Sequence, residues 1–162
     1  MAVPFLSAAH VERAVSPERA LAAVREAFVA YARGEWTMPP KVYVPAYPAG
    51  DFRAMPALGG GHALLKWVTS FPGNPARGLP TVSGIVVLSD AETGLVVALL
   101  DAGAVTALRT GAAAVLAGAA EGRRSDEEIT VFDSTGLAIQ DLAIARAALA
   151  RADELDLVQL EL

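Results

Sequence analysis

LLKWVTSFPGNPARGLPTVSGIVVLSDAETGLVVALLDAGAVTALRTG, residues 64–111, is the stretch that decides the fold. Three runs in and around it, ALLKWVTSF (63–71), TVSGIVVL (81–88) and LVVALLD (95–101), are rich in apolar and β-branched residues, as half-buried strands are. Turn residues separate them: Pro72 to Pro75 in one gap, Glu92, Thr93 and Gly94 in the next. Upstream, KVYV (41–44) and FRAM (52–55) read as two more strands, divided by Pro45, Pro48 and Gly50, with Gly59 to Gly61 closing the second. Five strands joined by short connections predict a largely antiparallel sheet.

Helical patterns flank these strands. Ser16-Pro17-Glu18 is a helix start: a serine cap, proline in the first turn, and a carboxylate at the positive end of the dipole. Leu21, Val24, Phe28 and Tyr31 follow at helical spacing, and Gly34 is the stop. Residues 101–120 predict a helix of small residues with Val105, Leu108 and Ala112 on its buried side. Residues 137–152 predict another, with Ala138, Leu142, Ala145 and Leu149 on one stripe. EITVFD (128–133) reads as a short strand, and LDLVQLEL (155–162) as a terminal one with Val158, Leu160 and Leu162 alternating. The expected architecture is α+β: a mostly antiparallel sheet with helices on one face.

Composition narrows the function. The 162 residues are one domain's worth and suffice for a real core. Hydrophobic residues make up 54%, much of it alanine, and mean hydropathy is +0.41. No apolar run reaches the length of a membrane span, and no signal peptide is legible, so a cytoplasmic protein with no membrane partner is expected. The apolar excess predicts a subunit interface, hence a homodimer. With no cysteine and only His10 and His62, no metal site is expected. A net charge of −5 argues against nucleic acid, and Arg123-Arg124 is too short for a basic patch.

The chain resembles the ornithine cyclodeaminase/mu-crystallin family. The resemblance is carried by MPPK (38–41), RAMPA (53–57), KWVTSFPGNP (66–75), GLPTVSG (78–84), TALRTGAA (106–113) and SDEEITVFDSTGLAIQD (125–141). It implies the family's substrate-binding and dimerisation domain, its sheet facing a twin across a dimer axis. Family members place a dinucleotide-binding domain between the first five blocks and the last. Here about ten residues bridge that gap, too few for even one crossover unit. The expected organisation is therefore one domain built from residues 1–117 and 125–162, joined at 118–124, with the NAD(P)-binding domain deleted.

Chemistry concentrates on a few side chains. Lys66 lies between apolar residues in a strand, where an ammonium is costly unless partners wait on its side. The resemblance makes it the lysine beside the substrate carboxylate and reacting carbon, the family's catalytic group. Arg109 is surrounded by Thr106, Ala107, Thr110 and Gly111, small enough to let a carboxylate reach a planar fork donor. The resemblance implies that it clamps the amino-acid carboxylate. Lys41 stands where many relatives carry a second carboxylate-binding arginine, and Arg53 is a possible substitute. Thr81 corresponds to a pocket threonine in relatives, although threonine in a strand is commonly β-propensity alone. Asn74 suits a turn, and Met55 and Trp67 read as pocket walls or core, with core the favoured reading.

On the cofactor side, Ser134, Thr135 and Gly136 precede a helix. There they could hold phosphate or ribose oxygens, and capping by Ser134 or Thr135 explains them equally well. Together with Thr110 they are the residual cofactor contacts that the resemblance implies. The G-x-G-x-x-G fingerprint is missing: Gly59 to Gly61 lacks the third glycine and precedes a strand-like run. Asp101 and Asp133 are available carboxylates, and neither matches the family's acid–base aspartate. NAD(P) belongs to intact relatives, and no cofactor is expected in this chain. The expected function is a binding and dimerisation domain, inactive alone, with a weak site for a small amino or keto acid left open on one side. The alternative is an NAD(P)-dependent amino-acid cyclodeaminase or dehydrogenase that retains some cofactor binding or is complemented in trans.

Overall fold

The computed structural model describes residues 2–116, 125 and 136–162. In chain order its elements are β1 (Ala2–Leu6), α1 (Ala8–Ala14), α2 (Pro17–Ala32), β2 (Val42–Ala46), β3 (Gly50–Gly59), β4 (His62–Ser70), β5 (Val82–Asp90), β6 (Val96–Asp101), α3 (Ala102–Leu116), α4 (Ala138–Leu149) and β7 (Val158–Glu161). One sheet carries them in the order β2-β3-β4-β5-β6-β1-β7. The five expected strands form an antiparallel meander, β2 to β6. β1 then pairs parallel to β6, and β7 antiparallel to β1. The anticipated strand at 128–133 lies outside the described residues. No described helix is long and apolar enough to cross a membrane.

Pleating assigns the faces. Met55, Ala57, Leu64, Val68, Val86, Leu88, Ala98 and Leu100 alternate onto one side and are buried under the helices. Leu58, Leu65 and Trp67 alternate onto the other and are exposed. There Phe52 stacks on Trp67 with ring centroids 5.6 Å apart, and meets Phe71 edge-on. Trp67 is thus a surface residue of the face that carries none of the described helices, not core as its sequence context suggests. Met55 is core.

The helices keep their local signals and shift their faces. Ser16 Oγ accepts the amide of Arg19, and Gly34 ends the segment with φ +74°. Yet α2 buries Ala20, Val24, Ala27 and Ala30, leaving Tyr31 exposed. The expected stripe is rotated because α2 packs on α3 and α4, whose alanines admit small residues most closely. α4 lies between the sheet and α2, so residues 138–145 are all buried and the expected single stripe does not exist. β7 is an exposed edge strand: its alternating Val158, Leu160 and Leu162 cover no core. The Gly59–Gly61 stretch forms a two-residue hairpin. Gly59 pairs with His62, and Gly60 and Gly61 take φ +55° and +78°, as a type I′ turn demands.

Candidate functional site

Alternation along β4 turns Lys66 inward with Leu64 and Val68, between Met55 of β3 and Val86 of β5. Its ammonium donates to Thr106 Oγ1 at 2.6 Å and to Asp141 Oδ1 at 3.0 Å. Thr106 can accept because its own hydroxyl donates to Ala102 O at 2.6 Å. Lys66 has three N–H donors, and two of them are used. Burial pulls its pKa below the ordinary lysine value. Asp141 opposes that shift, and the charge of Arg109 adds to it.

Arg109 follows Thr106 by three residues on α3 and therefore shares its face. Its Nε lies 3.5 Å from the same Asp141 oxygen. Lys66 is 2% exposed, Arg109 4% and Asp141 0%. The three charged groups are thus covered, where the sequence suggests a site left open to water on one side. Gly136 supplies part of the cover. It has φ +63°, and a Cβ there would stand 2.4 Å from the Arg109 guanidinium carbon, so the backbone rests directly on the arginine.

Lys41 enters from the segment before β2 and is half-buried. Burial lowers its pKa first, then repulsion from Arg109, Arg53 and Lys66, while Asp141 works the other way. Lys41 and Lys66 are the only lysines in the chain, so both gather here with Arg109. Lys41 is the least covered of the three cations. Arg53 is no free substitute for it: its Nε holds Asp51 Oδ1 at 2.5 Å, and its guanidinium lies over the Tyr43 ring.

Thr81 is not brought in. It stands five residues before Val86, roughly 16 Å along the strand, and its carbonyl accepts the amide of Phe71. Thr110 is half-buried on α3, next to Arg109 in sequence. Ser134 and Thr135 lie outside the described residues. The α4 cap is Leu137, with Gln140 Oε1 accepting its amide at 3.1 Å. Asn74 does the turn work expected of it, donating to Pro80 O. Asp101 is committed as well, its Oδ1 capping α3 at the amide of Ala104.

Sequence reasoning misses Asp141. Its signal was available: a carboxylate in IQDLAIA, a run otherwise fit only for the interior. An ion pair at about 4 Å gains roughly 4 kcal/mol at an effective dielectric of about 20, while desolvation costs several kcal/mol per ion. Stability alone does not account for such a cluster.

This geometry meets its relatives in the comparisons. The ornithine cyclodeaminase/mu-crystallin family model matches residues 2–117 and 113–155, so the chain belongs to that family. It is 50% identical over 113 residues to the alanine dehydrogenase of Archaeoglobus fulgidus, covering 70% of this chain and 35% of that protein. A Burkholderia multivorans Delta(1)-pyrroline-2-carboxylate reductase is 36% identical over 113 residues, 70% of this chain and 36% of its own length. Among solved structures, an archaeal alanine dehydrogenase dimer with bound NAD superposes with TM-score 0.71 at 41% identity, covering 96% of this chain and 47% of that one. The Thermococcus litoralis Delta(1)-pyrroline-2-carboxylate reductase, in complex with NADH and L-proline, gives 0.68 at 29% identity, covering 71% and 36%. The chain thus spans about a third to a half of the length of these relatives.

Among the described residues no glycine-rich strand-to-helix loop of the kind that cradles a dinucleotide is present. The one glycine-rich stretch is a β-hairpin turn and not a strand-to-helix loop. Its close approaches are already filled, Gly59 by Trp36 and Gly60 by the Arg146 guanidinium.

Proposed function

We propose that this chain is the substrate-binding and dimerisation part of its family's architecture: a carboxylate site without its own dinucleotide cradle, inactive in hydride transfer when alone. The observation that carries the reading is the meeting of Lys66 from β4 and Arg109 from α3 at one buried carboxylate, with Lys41 within electrostatic reach. Two of these cations have opposed neighbours of their own sign, an arrangement that an incoming anion relieves. Lys66 retains a third N–H for it, and the planar guanidinium of Arg109 has the geometry that suits a carboxylate. The relatives' names supply the ligand class. Alanine, proline and pyrroline-2-carboxylate each place a carboxylate next to an amine or imine.

The test is thermal unfolding and calorimetry with L-alanine, L-proline and their decarboxylated amines. Only the carboxylates should raise Tm, and Arg109→Ala should abolish the rise. Equal effects of the amines would sink the carboxylate reading. NAD and NADH, followed by nucleotide fluorescence, should show no saturable binding, and saturation would favour a cofactor-dependent enzyme instead. A second copy is the proposed occupant of the sheet face that carries none of the described helices. That face offers Leu58, Leu65 and Trp67 to solvent, and a related alanine dehydrogenase is described as a dimer. Sedimentation should find a dimer that Trp67→Glu dissociates, and a wild-type monomer at micromolar concentration would refute it.

A further inference from the structure

Asp141 stands apart from the cations around it, because nothing solvent-borne can touch it: it is 0% exposed. Its Oδ1 receives the Lys66 ammonium at 3.0 Å and faces Arg109 Nε at 3.5 Å. Its Oδ2 is also buried and has no hydrogen-bond partner. The carboxylate therefore spends its hydrogen bonding on Lys66 alone. Three elements meet at that oxygen, α4 bringing the anion, β4 the ammonium and α3 the guanidinium.

We propose that Asp141 is the positioning residue of this site, holding Lys66 in its charged form and fixing it beside Arg109 so that both cations face one anion. The inference rests on the carboxylate-site reading for its purpose, and on the geometry alone for its substance. Every charged group around Lys66 bears on it. Asp141 on α4 supports the ammonium, Arg109 on α3 opposes it, and Lys41 before β2 repels and is repelled. β3 and β5 present Met55 and Val86, which carry no charge. The Arg53 guanidinium is held by Asp51. Removing the one anion beside it among the described residues leaves an ammonium that has lost water and, among those residues, kept like-charged neighbours. It should then shed its proton at a lower pH. The Thr106 hydroxyl, which already donates to Ala102 O, can still accept from it.

Two lysines in the whole chain make the experiment direct. Lysine-selective 13C labelling yields two side-chain signals, and Lys66→Gln identifies which belongs to Lys66. In Asp141→Asn, with no ligand present, the Lys66 titration should move to lower pH by about one unit or more, and the Lys41 signal should move less. An unchanged Lys66 titration overturns the proposal, because a merely structural aspartate would not be felt by the proton. Where Asp141→Asn does not fold, adding Lys66→Gln should restore folding by removing the uncompensated charge. A double variant no better than the single one overturns it equally. The proton readout needs no ligand, so failure of every carboxylate to bind would sink the anion site while the titration still decides Asp141. If L-alanine binds, its pH edge should follow Lys66, binding being lost as pH rises through that pKa and lost earlier in Asp141→Asn.

Discussion

Gly136→Ala tests the construction of the site through two separable effects. The backbone there has φ +63°, and a left-handed conformation costs a β-carbon about 1–2 kcal/mol. The new Cβ would also stand 2.4 Å from Arg109 Cζ and Nη1, where carbon contacts settle near 3.5–4.0 Å. The guanidinium must therefore retreat by about an ångström or more. An arginine end on the surface would do so at little cost, but this one is buried against Asp141. Weakening a charge-assisted contact there costs about 1.5–3 kcal/mol. Together the wild-type background should lose about 3 kcal/mol or more, roughly 6–12 °C in Tm for a domain of this size. In an Arg109→Ala background the clash disappears and only the backbone term of about 1–2 kcal/mol should remain. Urea unfolding of the four variants reads the difference. Equal losses in both backgrounds would refute the claim that Gly136 is glycine because of Arg109.

The hairpin glycines offer a parallel contrast. Gly61→Ala meets nothing within 4 Å and should cost only its backbone strain, about 1–2 kcal/mol. Gly60→Ala should cost more in the same urea measurement, because it also displaces Arg146 from the Trp36 ring. The pH dependence of stability should carry the mark of Lys66. Its folded pKa lies below the ordinary value of 10.5, so between the two the unfolded chain binds more protons, and stability rises with pH in that window. Relative to Lys66→Met, wild type should gain on approaching pH 10.5 from below, and parallel curves by urea unfolding would contradict the buried ammonium.

Local rules in the sequence determined the sheet. The turn residues between 63 and 101 set where strands end, and their alternation sets which face each residue joins. The meander follows because consecutive short connections leave antiparallel neighbours little choice. Lys66 and Arg109 were legible for a related reason: each charge is out of place where it stands, in an apolar strand or among small helical residues. The covered cluster of charges and the rotated stripe of α2 depended instead on how the helices pack together, which no single segment records. The positions of β1 and β7 at the far side of the sheet likewise came only from the tertiary structure.

Asp141 marks the boundary between the two kinds of information. By itself IQDLAIA shows a carboxylate in an apolar helix and gives no partner. Lys66 is 75 residues away, and distances of that order are closed by packing and not by periodicity. The sequence thus determined which residues needed an explanation. The fold decided that they explain one another, because a buried charge is tolerable only where the tertiary structure delivers its opposite.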